Sequence, residues 1–324
     1  MRFGRVVPRR VKLVASVSRP HVLPVVGSLA YADPIRMRTA GRNLPSPADT
    51  ALPACERGEQ TATTTAIVEN MRITVLGGSG AWPTPDAACS GFLVEHDGFR
   101  LLMDAGYAVV PRLLAVVPGA RIDAVVISHG HPDHCADLNP LLRVRALSGD
   151  PAPALPVYAL PGALDAVLAL DRPGMLDDAI ALREFAGGDR FGVGPFTVDT
   201  RLLPHFVPNA GMRVAADGVA LAYTGDCGPD PAVVELAQEV DLLIAEATYA
   251  DDMPSQNVGY LTTARQAAGQ AARAGVGRLL LTHLRPDTDP AAARDAASDF
   301  DGDVEIASPD LSIDLPLSGR WSTD

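Results

Sequence analysis

From residue 71 onward, short apolar runs alternate with stretches whose apolar positions recur every three or four residues. "RITVLGG" (72–78) reads as a strand. "GFLVEHDGFRLLMDAG" (91–106) reads as a hairpin, with Asp97-Gly98 supplying the positive-φ turn. Further strands are predicted at "DAVVISHGH" (123–131), "LPVYAL" (155–160), "FTVDTRLLPH" (196–205), "GVALAYTGD" (218–226), "VDLLIAEAT" (240–248), "RLLLTH" (278–283) and "VEIA" (304–307). A second hairpin is expected around Asp217-Gly218. Helical patterns cover 108–117, 134–147, 161–170, 230–238, 262–275 and 289–299. Strands mixed with helices in this order predict an α/β protein whose two sheets are sandwiched between helix layers.

The pattern fails before residue 71. Residues 1–70 lack sustained periodicity, carry seven prolines and end near the low-complexity run "TATTT". They are expected to be a disordered N-terminal extension. Met71 opens a strand at once, so a biological start at Met71 is expected; an intact mass that includes earlier residues would refute it. Residues 71–324 form the predicted folded domain.

Charge separates the same two parts. The first 70 residues hold ten Lys or Arg against five Asp or Glu, whereas 71–324 hold 17 against 34. The whole chain of 324 residues carries a formal net charge of −12, which disfavours a nucleic-acid-gripping surface. Cys55, Cys89, Cys135 and Cys227 form no C-x-x-C pair, and Cys135 and Cys227 are expected to be small buried thiols. No apolar run approaches the roughly 18 residues that a membrane span needs, so a cytoplasmic protein without a membrane partner is expected.

The chemistry is concentrated in "SHGHPDHCADL" (128–138), where three of the chain's seven histidines fall within six positions. His129 and His131, two apart on an extended segment, can project to one side and share one ion. Asp133 and His134, around the following bend, can aim at a second. His205, Asp226 and His283 each end a predicted strand. Together these seven residues are enough for two metals. Imidazole with a little carboxylate is the ligand set that Zn²⁺ favours, and Mn²⁺ or Fe also accept it. His21, in the N-terminal part, and His96, beside a hairpin turn, are left without a role.

These residues resemble the metallo-β-lactamase-fold hydrolases, four-layer αββα sandwiches, over essentially all of 71–324. The match is H-x-H-x-D-H at 129–134 followed by His205, Asp226 and His283. The resemblance implies two Zn²⁺: one on His129, His131 and His205, the other on Asp133, His134 and His283, with Asp226 bridging. It also implies that Asp104, in "LLMDAG", supports a ligand histidine from behind. A Cys at the position of Asp226 would mark the true β-lactamases of one class. The aspartate, with "DLLIAEATY" (241–249) after it, resembles ribonuclease Z instead.

That branch usually inserts a long tRNA-gripping arm between the fourth ligand histidine and the bridging aspartate. Here the interval from His205 to Asp226 is 21 residues, mostly taken by the hairpin. The better match is to arm-less relatives that act as cyclic-nucleotide phosphodiesterases. The expected substrate is therefore a small phosphodiester, with nucleic acid disfavoured; the resemblance also suggests a homodimer. Asp133, Asp226, Glu246 and Tyr260 are the expected catalytic residues. Tyr260, in "VGYLTT", stands where these relatives carry a histidine that pairs with the glutamate. A phenol of unperturbed pKa about 10 is a poorer acid near neutrality. The competing readings are an RNA-processing nuclease, a thioester, lactone or β-lactam hydrolase, and a degenerate metal-binding scaffold.

Overall fold

The structure, a computed structural model, describes residues 70–118, 121–149 and 152–316. The expectations for the N-terminal extension, including its boundary and His21, lie outside these residues.

Among the described residues, fourteen strands form two seven-stranded sheets. The first sheet is built from β1 (Met71–Gly77), β2 (Gly91–His96), β3 (Phe99–Met103), β4 (Ala124–Val126), β5 (Leu155–Ala159) and β6 (Ile180–Glu184). The second contains β7 (Arg190–Val193), β8 (Phe196–Leu203), β9 (Asn209–Ala216), β10 (Val219–Tyr223), β11 (Leu242–Glu246), β12 (Arg278–Thr282) and β13 (Asp303–Ile306). The chain then returns to add β14 (Ser312–Leu315) beside β1. Spatial orders are β14-β1-β2-β3-β4-β5-β6 and β13-β12-β11-β10-β9-β8-β7.

Side-chain alternation explains the layering. Leu101 and Met103 of β3, Ala124 and Val126 of β4, and Leu242 and Ile244 of β11 meet in one cluster between the sheets. Their neighbours Leu102 and Val125 face α1 (Val109–Val116), with α3 (Leu138–Leu147) and α4 (Asp165–Leu168) in the same outer layer. Leu243 and Ala245 face α5 (Pro231–Ala237), α6 (Ala264–Ala274) and α7 (Pro290–Ala296) on the other outside. Strands covered on both faces must be apolar throughout, which is why these read as unbroken runs rather than alternating ones. Fully burying one such aliphatic side chain contributes roughly 1.5–3 kcal/mol. The αββα sandwich expected from the sequence is what the chain forms.

Both predicted hairpins form. Asp97 and Gly98 have φ of 49° and 73°, and Asp217 and Gly218 have 48° and 85°, as a two-residue turn requires. Three differences have local causes. The predicted helix 134–147 is two, α2 (Pro132–Cys135) and α3, because Pro140 has no N–H to donate back to Ala136. The predicted strand 123–131 pairs only over Ala124–Val126, and His129 and His131 stand on the loop beyond it. The edge strands β6, β7 and β14 carry too weak an apolar signal to read from the sequence.

Candidate metal centre

The strands carrying chemistry end on one side of the molecule. β3 and β4 run parallel, as do β10, β11 and β12, and β8 shares the direction of β10 because both lie antiparallel to β9. Just beyond these C-terminal tips stand Asp104, the 128–134 segment, His205, Asp226 and His283, with Glu246 at the end of β11. Loops held by rigid strand ends are suited to fixing ligands. Asp104 and His283 adopt φ of 58° and 59°, the left-handed region that non-glycine residues rarely enter.

The seven predicted ligands converge in two overlapping groups. His129, His131, His205 and Asp226 make one, and Asp133, His134, Asp226 and His283 the other; within each, one ligand atom per residue lies within 4.8 Å of every other. Asp226 is the shared member. Its Oδ1 is 3.2 Å from His134 Nε2, and its Oδ2 is 3.1 Å from His283 Nε2 and 3.9 Å from both His129 Nε2 and His205 Nε2. Asp133 Oδ2 sits 3.2 Å from His283 Nε2 and accepts the Ala81 amide at 2.8 Å.

The outer nitrogens explain which face each ring turns inward. His134 Nδ1 donates to Asp104 Oδ2 at 2.8 Å, and His205 Nδ1 donates to the Tyr260 carbonyl at 3.0 Å. Ser128 gives its hydroxyl proton to Asp104 Oδ2, so His129 Nδ1 is the donor to Ser128 Oγ. Thr248 likewise gives its proton to Glu246 Oε2, so His283 Nδ1 donates to Thr248 Oγ1. Four imidazoles thus engage Nδ1–H outward and leave Nε2 as the nitrogen turned toward Asp226.

That arrangement fits divalent cations. His129 Nε2 and His205 Nε2 both point at His131 Nδ1 at 3.1 Å, and one proton on that nitrogen can serve only one of them. His134 Nε2 and Asp226 Oδ1 are buried 3.2 Å apart, yet neither makes a hydrogen bond of acceptable geometry. Converging lone pairs and orphaned buried polar atoms are costly unless a positive charge sits among them.

The electrostatics agree. Burial holds His129, His131 and His205 below the ordinary imidazole range. Burial also pulls on His134 and His283, but Asp226, with Asp104 for the first and Asp133 for the second, outweighs it and raises both. Burial would raise Asp133 and Asp226, yet the neighbouring histidines hold both carboxyls below the usual range.

The other predicted residues occupy different places. Asp104 accepts the Ser128 amide and hydroxyl, His134 Nδ1 and the Tyr223 hydroxyl, all within 2.7–2.8 Å. Glu246 is fully buried behind the ligands and accepts from the amides of Cys227, Thr248 and Thr262 and from the Thr248 hydroxyl. Burial, then Asp226, pushes its carboxyl up to about 8. Tyr260 is half-exposed at the rim and stacks on Phe206. Among the described residues, Glu246 and Tyr260 make no hydrogen bond to each other. Cys135 and Cys227 are buried thiols, the first pushed up to about 12 by burial. His96 lies at the opposite end of β10, bound to Asp217 Oδ2 at 2.9 Å. Ser128, Thr248 and Tyr223 were not predicted as parts of the centre, and no sequence spacing marks them.

Comparison with known proteins agrees with this geometry. A family model described as a β-lactamase superfamily domain matches residues 99–284. The "Probable metallo-hydrolase YhfI" of Bacillus subtilis is 31% identical over 242 residues, covering 73% of this chain and 97% of that one. Ribonuclease Z of Mycobacterium bovis is 32% identical over 268 residues, covering 73% and 95%. The crystal structure of Bacillus subtilis YhfI, a metallo-β-lactamase-fold protein, superposes with a TM-score of 0.70 at 29% identity, over 76% of this chain and 100% of that one. With its ligand clusters and its sandwich, the chain belongs to the β-lactamase superfamily as a metallo-β-lactamase-fold hydrolase.

Proposed function

We propose that this hydrolase is a two-metal phosphodiesterase that opens 3′,5′-cyclic nucleotides, or closely related small diesters, to 5′-monophosphates. The observation that carries the reading is Asp226, one carboxylate common to both clusters, which supports two cation sites side by side. Two Zn²⁺ there would supply Lewis-acid charge and water of lowered pKa, the means by which paired metals promote displacement at phosphorus. Water adds to phosphorus, the P–O3′ bond breaks, and O3′ takes up a proton.

The chain's own residues do the positioning. Asp104 orients His134 directly and His129 through Ser128. Glu246 acts on His283 through the Thr248 hydroxyl and stands behind the ligands, away from the rim where a substrate would enter. Tyr260 is half-exposed at that rim, which supports its assignment as the residue that meets a substrate.

Size and charge support a small substrate. The interval between His205 and Asp226 is filled by β9, its tight turn and β10, leaving no inserted arm. The 34 acidic residues against 17 basic ones from residue 71 onward disfavour a polyanion as partner. A second reading, an RNA-processing nuclease, is favoured by the 32% identity with a ribonuclease Z.

One experiment decides. Metal-loaded protein is offered 3′,5′-cyclic AMP, a precursor tRNA with a 3′ trailer and a thioester, with products identified by chromatography. Conversion of cyclic AMP to 5′-AMP is expected. Cleavage of the precursor alone would establish the second reading, and turnover of the thioester alone would end both.

A further inference from the structure

Beside the ligands stands an aromatic pair whose ring faces take no part in breaking the P–O bond. Phe206 and Tyr260 stack with ring centroids 4.8 Å apart and planes 24° from parallel. Both remain half-exposed, at 52% and 44%, although large aromatic rings normally bury their faces. Phe206 also meets the ring of His205 edge-on at 5.2 Å.

The pair is fixed with respect to the ligands. The Tyr260 carbonyl accepts His205 Nδ1–H, and the Tyr260 amide donates to Asn257 O at 3.0 Å. Asn257 is anchored in turn by its side-chain donation to Tyr249 Oη at 2.7 Å. Gly259 packs so closely on Gly228, two residues past Asp226, that a Cβ at Gly228 would collide with its backbone. Gly228 closes the ring by donating its amide to Pro204 O. Three chain segments, around His205, Asp226 and Tyr260, are thus stitched together, and the ring pair rides on the seam.

We propose that Phe206 and Tyr260 form a stacking platform that receives the base of a mononucleotide substrate and fixes its sugar-phosphate over the ligand cluster. This rests on the phosphodiesterase reading for its substrate class. A planar π-face is the chemistry that two parallel, exposed rings select, and it tolerates any base. On this assignment Tyr260 sets specificity through its ring, and its hydroxyl is dispensable for binding.

The test is calorimetric. Adenosine 5′-monophosphate and ribose 5-phosphate are titrated into metal-loaded wild type, Phe206→Leu, Tyr260→Leu and Tyr260→Phe, each checked for metal content and sedimentation behaviour. Wild type should prefer the nucleotide roughly tenfold or more, the scale of base–aromatic stacking. Either leucine variant should lose most of that preference, and Tyr260→Phe should keep it. Equal or absent binding of both ligands by wild type overturns the proposal. So does a Phe206→Leu protein with full metal content and undiminished preference. A change confined to the monomer–dimer equilibrium would make the pair a subunit contact instead. A short RNA that outcompetes the mononucleotide more than tenfold would overturn the assignment to single nucleotides. If the nucleotide binds as stated but cyclic AMP is not hydrolysed, the platform stands and the phosphodiesterase reading falls.

Discussion

Asp104 Oδ2 lies 2.8 Å from His134 Nδ1, and both side chains are wholly buried. The same oxygen accepts the Ser128 and Tyr223 hydroxyls, so one carboxylate braces ligands of both clusters. Its removal should therefore weaken both sites. Asp104→Asn is expected to lower metal affinity by roughly 10–100-fold, the usual cost of losing a carboxylate behind a ligand histidine. Competition with a chromophoric chelator measures this, and unchanged affinity at both sites would contradict the assigned role.

Protons and metals compete for the centre. In the metal-free protein the aspartates hold His134 and His283 charged above the ordinary imidazole range. A cation needs those nitrogens neutral, so binding must release protons. Affinity should accordingly rise with pH as these raised histidines deprotonate. The sign reverses for stability of the metal-free fold: the favourable His⁺–Asp⁻ pairs are complete below the unfolded imidazole pKa of about 6.5 and are lost as pH climbs through the raised folded values. Calorimetry in buffers of different ionisation enthalpy counts the released protons; zero release would refute the argument.

Glu246 adds an opposite and separable signature. Its carboxyl is pushed up to about 8 by burial and by Asp226, so the fold keeps a proton that the unfolded chain gives up near pH 4.5. Glu246 therefore disfavours the metal-free fold increasingly between about pH 4.5 and 8. Relative to Glu246→Gln, wild type should lose thermal stability over that window. Parallel curves for the two proteins would show that the carboxyl is ionised in the fold.

The seam beneath the aromatic pair is sterically exact in one place. Gly228→Ala drives a Cβ into the Gly259 backbone, and backbone cannot step aside as a flexible side chain would. The expected cost is on the order of 1–3 kcal/mol of stability, with displacement of the Tyr260 loop. A melting curve matching wild type would contradict the packing described here.

How far the sequence could be read follows from the range of the interactions. The seven residues that converge in the two clusters are visible in the sequence because each ends a predicted strand or lies in one short cluster, and the buried strands because both faces are apolar. The edge strands escaped because half-exposed segments such as "IALRE" and "SIDL" carry little periodic signal. The bracing network escaped for another reason: Asp104 and Tyr223 are 119 positions apart and Thr248 and His283 are 35 apart, and no local pattern records such pairings. Asp104 was reached only through family resemblance. The sequence shows Tyr260 as a poorer acid in the place of an expected histidine, and its ring packing on Phe206 is a property that only the fold reveals.

Asp226 is proposed to serve two cation sites at once, and one titration tests this most directly. Zn²⁺ is added to metal-free wild type and to Asp226→Ala while bound metal and turnover of bis(p-nitrophenyl) phosphate are followed together. Wild type should take up two equivalents, with activity rising chiefly as the second binds, and the variant should lose that activity. Full turnover with a single equivalent, or undiminished turnover in Asp226→Ala, would contradict the account.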